Sequence, residues 1–94
     1  MSSQGFDEVI HAPNRLQICA CLNSIAEIEF QALRELLDVS DSVLSKHLRV
    51  LDEAGYLDLS KRTANGRQRT WLALSGNGRK AYHAHVKQLK KILG

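Results

Sequence analysis

The 94-residue chain holds few of the features that mark large functional classes. No run approaches the ~18 consecutive apolar residues that cross a bilayer. The N-terminus lacks a basic segment leading into an apolar one, so no secretory signal is expected. Two cysteines are too few for a disulfide scaffold. They form Cys19-x-Cys21, and two residues apart on a helix their sulfurs point about 200° apart, unsuited to one disulfide or one metal. His83 and His85 have the same spacing and the same difficulty. A reducing, cytoplasmic setting is expected, with no metal and no cofactor. There is no phosphate-cradling glycine loop, no His-Glu-x-x-His and no nucleophile motif. Gly55, Gly66, Gly76 and Gly78 read as turn residues, and no enzymatic activity is expected.

Acidic residues are also missing from the whole stretch after Asp58. Residues 1–41 carry seven acidic and two basic side chains, a net −5, whereas residues 42–94 carry eleven basic and three acidic, a net +8. Such polarity points to a polyanionic partner for the second half. An ordinary pair of solvated helices, one acidic and one basic, would give the same numbers, so charge alone does not decide.

Periodicity orders the elements. Phe6, Val9 and Ile10 lie at helical spacing ahead of Pro13, which suits the first turn of a second helix carrying Leu16, Ile18, Cys19, Leu22 and Ile25. Met1–Gly5 reads as a loose polar end. Glu27–Phe30 alternates as a strand, and Leu33, Leu36 and Leu37 mark a helix beginning near Phe30. Ser40 or Asp41 can cap the next helix, which carries Leu44, Leu48 and Leu51 and ends at Ala54-Gly55. Tyr56–Arg62 and Arg69–Leu74 read as strands around Asn65-Gly66, a two-residue hairpin signal. After Ser75-Gly76-Asn77-Gly78 a basic helix closes the chain. The resulting order is helix, helix, short strand, helix, helix, strand, turn, strand, helix.

Two helices joined by a short turn make a helix-turn-helix, here about 31–54, whose second helix, about Ser42–Ala54, is shaped for a DNA major groove. On a helical wheel Leu44, Leu48 and Leu51 fall within about 40° of one another and form the buried stripe. Ser42, Lys46 and Arg49 lie opposite, Val43 and Ser45 flank them, and His47 sits at the edge of the stripe. Small polar groups admit close approach, Val43 can meet a thymine methyl, and Lys46 and Arg49 can reach guanine or phosphate. The bland alternative is an amphipathic helix whose outer face only solvates. The hairpin weighs against it. Lys61, Arg62, Arg67 and Arg69 bracket the turn at about Lys61–Arg69 without an acidic neighbour in sequence, and Arg67 at the tip suits a narrow minor groove.

At this level of detail the chain resembles a known group. Val39–Leu57 follows the pattern Ser-x-x-x-hydrophobic-Ser-x-His-Leu-x-x-Leu-x-x-Ala-Gly-hydrophobic of the recognition helix in prokaryotic winged-helix regulators. His11–Ile18 resembles the start of their scaffold helix, and Leu74–Arg79 resembles the Leu-Thr-x-x-Gly-Arg that opens their last helix. The likeness spans about residues 6–93 and points to stand-alone winged-helix domains related to the MarR and ArsR regulators. It implies a dimeric transcriptional regulator that contacts double-stranded DNA, a palindromic operator, through the recognition helix and wing. ArsR-type sensors also bind metals, some through Cys-x-Cys, but on the helix leading into the recognition helix; here Cys19-x-Cys21 lies one helix earlier.

The expected fold is therefore mainly α with a small β-hairpin (α+β), a winged helix-turn-helix in one domain over 1–94. The wing hairpin spans about 57–74, and the C-terminal helix, about 77–93, serves dimerisation. Tyr82, Val86, Leu89 and Leu93 repeat at four, three and four, widened by Ile92. Tyr82 and Val86 are read as facing inward. Leu89, Ile92 and Leu93, with Phe6, Val9 and Ile10, are read as meeting a second copy. The other possible roles are a protein-interaction module using the acidic half, and a metal- or ligand-responsive repressor.

Overall fold

The structure, a computed structural model, describes residues 6–94; the expectation for Met1–Gly5 lies outside them. Eight elements follow in the expected order: α1 (Glu8–His11), α2 (Pro13–Ser24), β1 (Ile28–Glu29), α3 (Phe30–Leu37), α4 (Asp41–Glu53), β2 (Leu57–Ala64), β3 (Arg67–Leu74) and α5 (Gly76–Leu93). The three strands form one antiparallel sheet in the order β1-β3-β2.

Local chemistry sets the boundaries. Pro13 opens α2, and Ala12 before it is extended at ψ 137°, as a residue preceding proline must be. Ser40 Oγ accepts from the Val43 N–H and caps α4. Gly55, at φ 80°, ends that helix in the left-handed conformation, which lets Tyr56 N–H reach back to the Leu51 carbonyl at 3.0 Å. Asn65 and Gly66 have φ of 54° and 75°, the paired positive angles of a type I′ hairpin turn. The ladder then runs without a slip from Ala64↔Arg67 to Leu57↔Leu74.

One core holds these elements together. Ile10 of α1, Ile18, Cys19 and Leu22 of α2, Leu33 of α3, Leu44, Leu48 and Leu51 of α4, and Leu57, Leu72 and Leu74 of the sheet are buried in a single cluster. The leucine stripe of α4 is thus turned inward as its spacing required. Leu59 shares the inner face with Leu57 but is 47% exposed, since the hairpin is already leaving the body there.

Two expectations at the presumed dimer face need correction. Ile10 is wholly buried in this core and cannot meet a second copy without unfolding α1; Val9 also packs against the cluster and is only partly exposed. On α5 the fully buried side chain is His85, not Val86. Tyr82 is partly buried and packs against the core as read, whereas Val86 does not join that cluster; both also line a surface groove of about 320 Å³ with Asn23, His83, Lys87 and Lys90.

His85 is buried because its two ring nitrogens are both satisfied. Nδ1 accepts the Asp7 N–H at 3.0 Å, so Nε2 carries the proton and faces His11 Nδ1 at 3.2 Å. Phe6 packs on both imidazoles, with ring centroids 4.7 Å from His11 and 4.9 Å from His85. Phe6, assigned from sequence to a dimer face, here covers this histidine pair. Asp7 completes the cluster. Its Oδ1 caps α1 through the Ile10 N–H at 3.1 Å, and its Oδ2 accepts from the Tyr56 hydroxyl at 2.5 Å, a bond that pushes the phenol up to about 12.

Burial and the neighbouring His11 hold the His85 pKa below its ordinary 6.5, against the opposite pull of Asp7. The unfolded chain therefore binds a proton that the native state refuses. Stability from this group is complete above pH 6.5 and falls as pH drops below it. Thermal melts should show the midpoint decreasing from about pH 7 to pH 5, and His85→Asn, whose amide oxygen can replace the Nδ1 acceptor, should flatten that decrease. A second prediction concerns glycines. A Cβ at Gly78 would stand 2.2 Å from the Tyr56 carbonyl oxygen, whereas one at Gly76 meets nothing within 4 Å. Gly78→Ala should cost about 1–3 kcal/mol in denaturant titrations, and Gly76→Ala should be neutral or stabilising.

Candidate nucleic-acid interface

The helix-turn-helix is α3, the three residues Asp38-Val39-Ser40, and α4. Asp38 turns the chain in the left-handed conformation at φ 55°. Arg34 then fixes the angle: its NH1 donates to the Val39 carbonyl at 3.2 Å, its Nε lies 2.9 Å from Gln31 Oε1, and the same Nε lies 3.0 Å from the Asp41 carboxylate. Arg34 carried no signal in sequence beyond its charge, because its partners lie on both sides of a turn.

Burying Leu44, Leu48 and Leu51 points the opposite face of α4 outward. Ser42, Ser45, Lys46 and Arg49 line one open concavity of about 320 Å³ with no other residue in its wall. Val43 beside them is 38% exposed. No ion pair among the described residues engages Lys46 or Arg49. These five residues were expected on one face, and the fold brings them there. His47 stays at the edge of the buried stripe. Its Nδ1 lies 3.2 Å from Arg15 NH1 and its Nε2 lies 3.2 Å from the Asn14 amide, so it joins α4 to α2. Arg15 also donates from Nε to the Val9 carbonyl, which ties α1 into the same junction. Burial first, then Arg15 and Lys46, lowers the His47 pKa and favours the neutral ring.

The hairpin is less simple than its sequence suggested. All of Lys61–Arg69 is exposed. The four cations, however, are not all without acidic neighbours. Arg62 makes a bidentate pair with Glu27, at 2.8 and 2.7 Å, and its guanidinium lies 4.9 Å from the centre of the Trp71 ring. Arg69 NH1 lies 3.3 Å from Glu29 Oε1. Both carboxylates come from the segment before α3, 35 and 40 residues away in sequence. Lys61 and Arg67 have no such partner among the described residues. Between the hairpin and the start of α3 runs a groove of about 390 Å³, lined by Glu29, Phe30, Gln31 and residues Arg67–Thr70.

A model of the winged helix DNA-binding domain matches residues 14–93, from the start of α2 nearly to the end of α5. The chain belongs to that family. It is 27% identical over 85 residues to an uncharacterised protein of Methanocaldococcus jannaschii, covering 90% of this chain and 92% of that one. Among solved structures it is similar to a transcriptional regulator homologue from Pyrococcus horikoshii, with a TM-score of 0.87, 25% identity, and 93% and 86% of the two chains covered. It is also similar to a possible transcriptional regulator for arsenical resistance, with 32% identity, a TM-score of 0.64, and 87% and 80% covered. HlyU of Vibrio cholerae aligns with a TM-score of 0.64 and 25% identity over 81% and 78% of the chains. The winged-helix likeness read from the sequence is therefore upheld, and the neighbours are regulators of the ArsR and HlyU kind.

Cys19 is fully buried in the core, and burial pushes its thiol up to about 12, against nucleophile or ligand chemistry. Among the described residues no three His, Cys, Asp or Glu side chains converge as a ligand set. No helix among them is long and apolar enough to cross a membrane.

Proposed function

We propose that the chain is a sequence-specific, double-stranded DNA-binding transcriptional regulator acting as a dimer. It binds rather than turns over a substrate. The observation that carries this reading is the α4 face of Ser42, Val43, Ser45, Lys46 and Arg49. It is open and aimed away from the core, and its two cations Lys46 and Arg49 are in no ion pair among the described residues, in a chain that belongs to a DNA-binding domain family. The first turns of α4 would enter the major groove, with Lys46 and Arg49 on base edges or phosphates. The hairpin would follow the backbone, with Lys61 along its side and Arg67 at its tip reaching phosphate or a narrow minor groove.

The far end of α5 is the natural dimer element. Ile92 is 60% and Leu93 83% exposed, and Leu89 is partly exposed beside them. A two-fold at this end would pair two α4 helices on half-sites about 34 Å apart, giving a palindromic operator. With Ile10 committed to the core, Leu89, Ile92 and Leu93 would carry most of the interface.

Binding to labelled duplexes across salt concentrations tests the assignment. Lys46→Ala and Arg49→Ala should each lose about 1–3 kcal/mol on a selected site. Arg67→Ala should weaken all duplexes alike and reduce the salt slope by about 0.9. A folded protein that bound no duplex even at low salt would instead favour a protein-interaction module. In sedimentation, Ile92→Asp with Leu93→Asp should convert a dimer to monomers while leaving the melting temperature of the domain within a few degrees.

A further inference from the structure

Arg62 and Arg69 stand directly opposite each other in the β2–β3 ladder. Like charges in that position repel. The fold sets a carboxylate against each of them. Glu29 pairs with Trp71 across the β1–β3 ladder, and Trp71 pairs with Ser60 across β2–β3. Side chains two apart on a strand share a face, so Glu29, Trp71, Arg69 and Arg62 lie on one side of the sheet. Glu27 reaches the same side to grip Arg62 at both nitrogens, and that hydrogen bond holds the Glu27 carboxyl below its ordinary range. A guanidinium uses the same fork on a carboxylate as on a phosphate.

We propose that Glu27 and Glu29 are resident stand-ins for DNA phosphates. They occupy Arg62 and Arg69 in the unbound protein and give them up when a duplex docks. This rests on the DNA-binding reading above. Three features favour exchange over a permanent strut. The pairs are reachable from solvent: the side chains of Arg62, Glu27 and Arg69 are 49%, 40% and 42% exposed. Glu29 is only 15% exposed and has a second task, since its Oε2 accepts the Gln31 N–H at 2.9 Å and caps α3. Losing Arg69 would leave that cap in place. Finally, β1 covers only residues 71 and 72 of β3. Residues 67–70 therefore line an open groove in which a phosphodiester can meet Arg69 beside Glu29.

The consequence is energetic. An arginine already neutralised carries no counterion to release, so it adds little to the salt-dependent part of binding. The two glutamates thus lower sequence-independent affinity without touching the base-reading face of α4. They set how tightly the protein holds DNA in general.

The test uses the full-length protein and a random-sequence duplex, read by anisotropy at about 50–200 mM salt. Glu27→Gln keeps a hydrogen-bonding side chain, and Glu29→Gln keeps an oxygen for the α3 cap. Each should tighten binding about two- to fivefold and steepen the salt slope by about 0.9. Arg62→Ala should cost more affinity in the E27Q background than in the wild type. Trp71, the sole tryptophan, gives an independent reading. Its emission should change on duplex addition as the guanidinium leaves the ring, and that change should vanish in Arg62→Ala. Circular dichroism checks each fold, and Glu27→Gln alone decides the matter if Glu29→Gln is unfolded. Unchanged or weakened binding in a folded glutamine variant, with the wild type bound, overturns the exchange and makes the pairs plain struts. If neither wild type nor variants bind any duplex at low salt, the DNA-binding reading fails and the proposal with it.

Discussion

The carbonyl oxygen of Tyr56 is the point through which the body of this molecule is connected. It accepts the Ser75 N–H at 3.0 Å, joining the residue before β2 to the residue before α5. It also lies where only a glycine at position 78 leaves room. Ser75 Oγ adds a second tie to the Gly55 carbonyl at 2.7 Å while accepting from the Gly78 N–H to cap α5. The Tyr56 hydroxyl meanwhile holds Asp7, which caps α1 and donates its N–H to His85 on α5. A single residue thus sets where α4 ends, where the hairpin begins and how the last helix departs. The relation between the exposed face of α4 and the far end of α5 is fixed there.

Much of this was legible in the sequence, for one physical reason: periodic burial and turn chemistry are local. Leu44, Leu48 and Leu51 declare a buried stripe by spacing alone, and their burial then decides which way Ser42, Ser45, Lys46 and Arg49 face. Asn65-Gly66 declares a two-residue turn because few residue pairs tolerate two positive φ angles. Ser40 and Gly55 bound α4 by the same kind of local argument.

What was not legible depends on groups far apart in the chain. His85 lies between apolar residues in a stripe that looked complete without it, and its partners are 74 and 78 residues away. Its burial cannot be anticipated until α1 is known to fold back over α5. Glu27 and Glu29 looked like surface charges on a short strand, yet they modify half of the basic hairpin. Ile10 failed as an interface residue for a related reason. A four-residue helix has too few positions for its pattern to say whether the apolar side meets its own core or another chain.

The type I′ turn carries a consequence of parity. A two-residue loop leaves no slack, so the hairpin behaves as a ruler: residues 67–70 carry the tip about 14 Å past the three-stranded part at strand rise. Its charges keep their side only if each strand is lengthened by two residues at a time. Insertion in one strand alone would shift every later side chain to the opposite face. Arg67 and Arg69 would then lie on the side of Leu72 and Lys61, beyond the reach of Glu29. Evolution can therefore lengthen this arm in steps of two residues per strand, whereas a step of one reverses which way its charges point.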